Sequence, residues 1–192
     1  MEERNGQGVR MRDVAGAAGV SRQAVYDHFG SRAELMVATV RYGDEVLGLD
    51  ERLGRYRALG SGVERLGAFI EFWGNYVPEI HGIARALMAA RETDEAVAAA
   101  WDDRMGVVYE ACRDIVERLH RDGTLAPGWS LDEAADVLWT MLSIHNWESL
   151  VPERGWPVEQ YVARMQELAG RAFVRDRLIP GNSRFCKVTR SR

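Results

Sequence analysis

At 192 residues, 46% hydrophobic and 28% charged, the chain can bury a sizeable core and is too apolar for global disorder. Its net charge of −4 argues against a protein that coats nucleic acid with its whole surface, so any anion-binding face must be local. No apolar run approaches the roughly 18 residues that cross a bilayer, the polar start MEERNGQGVR does not read as a secretory signal, and Cys112 and Cys186 lack metal-type spacing, so a reducing, cytoplasmic setting without a membrane partner is expected.

The pattern is helical from one end to the other, and the expected fold class is all-α. Residues 11–29 read as two short helices joined across Gly19. Ser31, with Glu34 three residues on, reads as a capping box, followed by Leu35, Thr39, Tyr42 and Val46 at helical steps. Gly48 to Gly62 reads as a looser stretch. Leu66, Ile70, Trp73 and Val77 make a stripe that Pro78 is expected to stop, with a separate short helix over Ile80 to Ala90. Trp101, Met105, Val108, Cys112, Ile115 and Leu119 give the longest clean stripe, ending at Gly123. Ser130 and Glu133 offer a second capping box, opening a long helix over about 131–150. A last helix is expected over about 157–176. Residues 171–192 carry seven basic side chains against one acidic, so 180–192 is expected to be a disordered basic tail.

The first helix pair repays closer attention. Met11, Val14, Ala15 and Ala18 place small and apolar groups on one face of its first member. Gly19 allows a sharp turn, Val20 plugs it, and Ser21 is placed to cap the second helix. Val25 and Phe29 turn that helix inward, which leaves Arg22, Gln23, Tyr26 and His28 outside, mostly toward its N-terminal end. Such an end can meet base edges in a major groove, where Arg pairs bidentately with guanine and Gln with adenine, and a helix N-terminus favours phosphate. An ordinary exposed helical hairpin with solvated polar groups fits the same pattern.

The segment RMRDVAGAAGVSRQAVYDHFGSRAEL resembles the DNA-binding signature of the TetR family of bacterial transcriptional regulators. The resemblance is close over roughly residues 10–35 and extends to the remainder only as an all-helical pattern. It implies that Arg22, Gln23 and Ala24 face the bases, that Tyr26, His28 and Arg32 hold phosphate or sugar, and that Ser21 caps the recognition helix. Where the family usually has Ser or Thr, this chain has Arg10, which caps poorly but can reach a phosphate. The family also carries a helix ahead of the motif, for which MEERNGQGV offers little. The expectation is therefore that Val14, Val25, Phe29 and Leu35 stand uncovered, and that either an upstream start supplies that helix or the chain binds operator poorly.

The resemblance implies a helix-turn-helix unit with its connecting helix over 1–47, and a larger ligand-binding and dimerisation domain over 48–179. The expected function is that of a ligand-responsive regulator, in the first reading a repressor. It would bind a near-palindromic double-stranded DNA operator as a homodimer, through helices 131–150 and 157–176, and a small apolar or aromatic effector would release it. Trp73, Asn75, Tyr76, Trp101, Met105, Trp139, Met141 and His145 are the expected effector contacts, with Asn75 and His145 as polar groups that orient the molecule. A core explains such aromatic stripes as well. A ligand-binding helical dimer without DNA binding is the alternative function. Neither an enzyme nor a cofactor is expected. His81, His120 and His145 are isolated, no catalytic constellation can be assembled, and no metal-ligand spacing occurs.

Overall fold

The computed structural model describes residues 11–175, the side chain of Asp50 excepted. Arg10 and the basic 180–192 segment lie outside the described residues. Among the described residues the chain runs through α1 (Met11–Ala18), α2 (Arg22–Phe29), α3 (Arg32–Val46), α4 (Leu49–Arg57), α5 (Gly62–Ala90), α6 (Glu95–Arg121), α7 (Leu131–Met141), α8 (Ile144–Leu150) and α9 (Val158–Phe173). The one β pairing among them is an isolated bridge between Leu125 and Val174. The fold is all-α, as the periodicity requires.

Two apolar clusters organise the helices. A small one gathers Met11, Ala15, Val25 and Leu35, with Val14, Tyr26 and Phe29 packed against it. A large one begins on α3 with Ala33, Met36 and Val40 and runs through α4 to α9. The helix α3 therefore serves both, because Leu35 points one way while Ala33, Met36 and Val40, at steps of three and four, point the other. Val25 and Leu35 are buried and Val14 and Phe29 half-buried, which corrects the expectation that all four stand uncovered.

Several boundaries differ from the sequence reading. The stretch after Gly48 is helical: Gly48 takes the left-handed conformation (φ +62°), and Leu53 and Tyr56 then turn into the core. Pro78 does not stop its helix; α5 continues through it for 29 residues. The proline interrupts one backbone bond at a cost of about 3 kcal/mol, yet Trp73, Tyr76 and Val77 before it and Ala84, Ala86 and Leu87 after it are all buried on one core. That burial offsets the loss. The residue four positions before Pro78 is Gly74, where a Cβ would stand 2.5 Å from Val162 Cγ2, so α5 and α9 approach closely there.

The single helix expected over 131–150 is two. Ser130 and Glu133 do form a capping box at the start of α7, but the chain breaks at Leu142–Ser143. The Leu142 carbonyl accepts from Trp73 Nε1 at 2.6 Å, and the Ser143 hydroxyl caps α8 by accepting from the Asn146 N–H. At α3, Ser31 caps the Glu34 N–H as expected, but the capping box is incomplete. The Ser31 N–H is spent on the Phe29 carbonyl at 2.6 Å, and the Glu34 carboxylate meets the Ser31 hydroxyl instead.

Candidate nucleic-acid interface and ligand cavity

The chain turns between α1 and α2 through Gly19, at φ +68°, where a side chain would be strained. The Val20 N–H returns to the Ala15 carbonyl at 3.0 Å. Ser21 then opens α2, its hydroxyl accepting from the Ala24 N–H at 3.0 Å. Val25 locks α2 onto the small core. This is a helix-turn-helix, and α2 is its second helix.

Arg22, Gln23, Ala24 and His28 are exposed along α2, Tyr26 is half-buried beside them, and Arg32 is exposed at the start of α3. The Arg22 guanidinium lies over the Tyr26 ring, 5.4 Å from its centroid, and the His28 ring sits edge-on to Phe29 at 4.5 Å. Gln23 Nε2 donates to Asp27 Oδ1 at 2.7 Å, one turn on. Sequence reasoning missed Asp27. It orients the Gln23 amide and places a carboxylate on the face where a phosphate-bearing partner would approach.

Behind this unit, α3, α4, α5 and α6 border a half-open cavity of about 660 Å³. Trp73, Tyr76, Trp101 and Met105 line it, together with Phe69, Phe72, Leu47, Leu49, Leu53, Ile80, Ile83, Leu87, Val108 and Ile144. Ala17 of α1 and Thr39, Tyr42, Gly43 and Val46 of α3 also border it. The other four residues expected as effector contacts do not line it. Asn75 is exposed and donates to the Glu71 carbonyl of its own helix at 2.7 Å. His145 is exposed on α8. Trp139 is half-buried against Tyr109, edge-on at 6.4 Å, and Met141 is half-buried at the end of α7. In place of Asn75 and His145, the polar groups on the wall are Asp44, Glu79, Arg104, Thr39 and the Tyr76 hydroxyl.

These polar groups are ordered among themselves. Asp44 of α3 accepts from the Tyr76 hydroxyl at 3.0 Å and pairs with Arg104 of α6 at 2.5 Å. Glu79 takes both terminal nitrogens of Arg52, at 2.9 and 3.2 Å, and the same guanidinium lies 5.7 Å from the Tyr76 ring centroid. Burial, and next the Asp44 carboxylate, hold the Tyr76 phenol above its ordinary pKa, so it remains a donor. Asp44, Tyr76 and Arg104 lie 32 and 60 positions apart. The only sequence signal for the group was that Asp44 follows Ala33, Met36 and Val40 on the inward face of α3.

Elsewhere the chemistry is quiet. Burial pushes the Cys112 thiol up to about 12, which leaves it unreactive. Among the described residues no group of His, Cys, Asp and Glu could hold a metal ion, and no helix is long and apolar enough to cross a membrane.

Residues 1–39 match the family of bacterial regulatory proteins, tetR family. Over 148 residues the chain is 29% identical to the HTH-type transcriptional regulator CymR of Pseudomonas putida, covering 74% of this chain and 68% of that protein. In fold it is similar to a putative transcriptional regulator from Saccharomonospora viridis in complex with choline, at TM-score 0.78 and 16% identity over 91% of both chains. It is likewise similar to FadR of Bacillus subtilis in complex with stearoyl-CoA, at TM-score 0.71 and 12% identity over 89% of this chain and 92% of that one. With a helix-turn-helix, its exposed polar face and an all-helical body behind it, the chain carries the DNA-binding unit of the tetR family over residues 1–39 and is similar along most of its length to transcriptional regulators.

Proposed function

We propose that this chain is a ligand-responsive repressor that binds a near-palindromic operator as a homodimer and is released by a small, largely apolar effector. The observation that carries the reading is the position of α3. It supplies Leu35 to the small core under the recognition helix, and Val40 and Asp44 to the wall of the 660 Å³ cavity. A ligand that favours one placement of α3 thereby changes where α2 stands, and in a dimer it changes the separation of two recognition helices.

In this reading residues 1–47 are the DNA-binding unit and 48–179 the ligand-binding and dimerisation domain. Arg22, Gln23 and Ala24 face base edges; Tyr26, His28 and Arg32 hold the backbone, as does Arg10 by charge; Ser21 fixes the start of α2. Trp73, Tyr76, Trp101 and Met105 contact the effector in a cavity of about 660 Å³, within the usual range of roughly 300–1,000 Å³ for ligand pockets. That two fold relatives carry choline and stearoyl-CoA supports a small-molecule ligand, though not its identity. For the dimer, α7 and α9 touch one another and turn Val137 and Leu168 outward, 38% and 51% exposed. Two copies of that face would build a four-helix bundle.

The experiment is selection of bound sequences from a random DNA library with the full chain, followed by titration of the winning duplex. The expected outcome is two inverted half-sites with affinity that falls steeply as salt rises. Enrichment of no sequence, with the chain folded and dimeric, would instead support a ligand-binding dimer that does not bind DNA.

A further inference from the structure

The cavity wall carries charge, but none of it is left over. Of its charged groups, Asp44 is met by Arg104 at 2.5 Å and by the Tyr76 hydroxyl at 3.0 Å, and Glu79 by both terminal nitrogens of Arg52. Two further polar groups on the wall are bonded within the protein. The Thr39 hydroxyl donates to the Leu35 carbonyl at 2.7 Å, and Trp73 Nε1 donates to the Leu142 carbonyl. The Asp44 and Arg104 side chains are only 19% and 29% exposed.

We propose that the Asp44–Arg104 pair sets the charge class of the effector, so that the cavity takes an uncharged apolar molecule with one hydrogen-bonding end. The inference rests on reading the cavity as an effector site. A carboxylate ligand would have to take Arg104 from Asp44, which leaves the Asp44 carboxylate only the neutral Tyr76 hydroxyl. An ammonium ligand would have to take Asp44 from Arg104, which leaves the guanidinium only the exposed Asp103 carboxylate at 3.6 Å. Either exchange trades a close ion pair at a partly buried site for a weaker contact, which is what makes breaking such a pair costly. An amide or hydroxyl can instead use the remaining lone pairs of Asp44 or the remaining N–H groups of Arg104 while the pair stays closed. Nor is the Tyr76 ring an open seat for a cation. It is stacked on Phe72 at 5.3 Å, and the Arg52 guanidinium already lies against it and would repel a second positive charge.

The pair thus acts as a filter, and opening it from either side changes what passes. With Asp44→Asn, Arg104 is free to receive a carboxylate. With Arg104→Met, Asp44 is free to receive an ammonium. The test uses three probes on one scaffold, 4-butylbenzamide, 4-butylbenzoate and 4-butylbenzylamine (protonated at neutral pH), titrated calorimetrically into the full-length protein. In the unsubstituted protein the amide is expected to bind about tenfold or more tightly than either ion. Asp44→Asn should raise the benzoate relative to the amide, Arg104→Met the benzylamine, and the double variant should return the preference to the amide. Either ion binding the unsubstituted protein as tightly as the amide overturns the proposal without need of variants, and so does an unchanged order in folded variants. If none of the three binds, it is the reading of the cavity as an effector site that fails, and the filter with it.

Discussion

The Tyr76 hydroxyl donates to Asp44 at 3.0 Å, and this one bond ties α5, the long helix of the larger core, to α3, the helix that also completes the small core under the DNA-reading face. Removing it with Tyr76→Phe keeps the ring against Phe72 and loses a hydrogen bond to a carboxylate, worth about 1.5 kcal/mol or somewhat more. The expected outcome is a modest fall in melting temperature and a larger relative loss in the response of DNA binding to ligand. A variant that melts lower but responds to ligand as before would show that the tie is structural only.

The exposed side chains of α2 should separate into two classes. Arg22→Ala or Gln23→Ala should change which operators are preferred, at roughly 1–3 kcal/mol per lost base contact. His28→Ala or Arg32→Ala should weaken all duplexes alike and flatten the salt dependence. Asp27→Ala should do something different from both. It removes a carboxylate facing the phosphates and frees the Gln23 amide from its 2.7 Å bond, so affinity rises while discrimination falls. Anisotropy titrations against matched and mismatched duplexes measure all three.

At Gly62 the start of α5 lies directly against the backbone of α6. A Cβ there would stand 2.6 Å from the Leu119 nitrogen and 2.8 Å from its Cα, and backbone cannot swing aside as a side chain can. Gly62→Ala is expected to cost about 3 kcal/mol by overpacking α5 against α6, read as a lower midpoint in urea. An unchanged midpoint would mean that the two helices separate freely at this end.

Acid should loosen the same region. The Gly62 N–H, with Arg118 beside it, holds the Asp122 carboxyl below its usual range. Ser130 does the same for Glu133, and Arg164 and Arg171 for Glu167. A carboxyl whose pKa is lower folded than unfolded stabilises the fold above its unfolded value of about 4 and loses that contribution as pH falls through the folded value. Melting temperature should therefore decline below about pH 4, and Asp122→Asn should make that limb shallower. A limb of the same slope in the variant would put the acid sensitivity elsewhere.

The DNA-reading unit was legible in the sequence because its code is local. Gly19, Ser21, Val25 and Phe29 act on neighbours within a turn or two, and propensity, capping and period all agree there. What was not legible depends on distant partners. Pro78 is outweighed only because buried residues on both sides share one core, and the break at Leu142 exists because Trp73, 69 positions away, takes its carbonyl. Asn75 and His145 were chosen for their chemistry. Yet Asn75 lies two positions on from inward-facing Trp73, which in a helix turns it outward. The Asp44–Arg104–Tyr76 group joins three helices, and no spacing rule in one stretch of sequence announces it.

One thermodynamic cycle tests whether the cavity and the DNA-reading helix are coupled through α3. The measurement is calorimetric titration of 4-butylbenzamide into the free protein and into the protein saturated with its selected operator, beside titration of the operator with and without the amide. Coupling through a shared helix requires that DNA weaken amide binding by the same factor as the amide weakens DNA binding. A common factor of roughly 5–150 is expected, the usual range for coupled sites. Equal amide affinity with and without operator would contradict it.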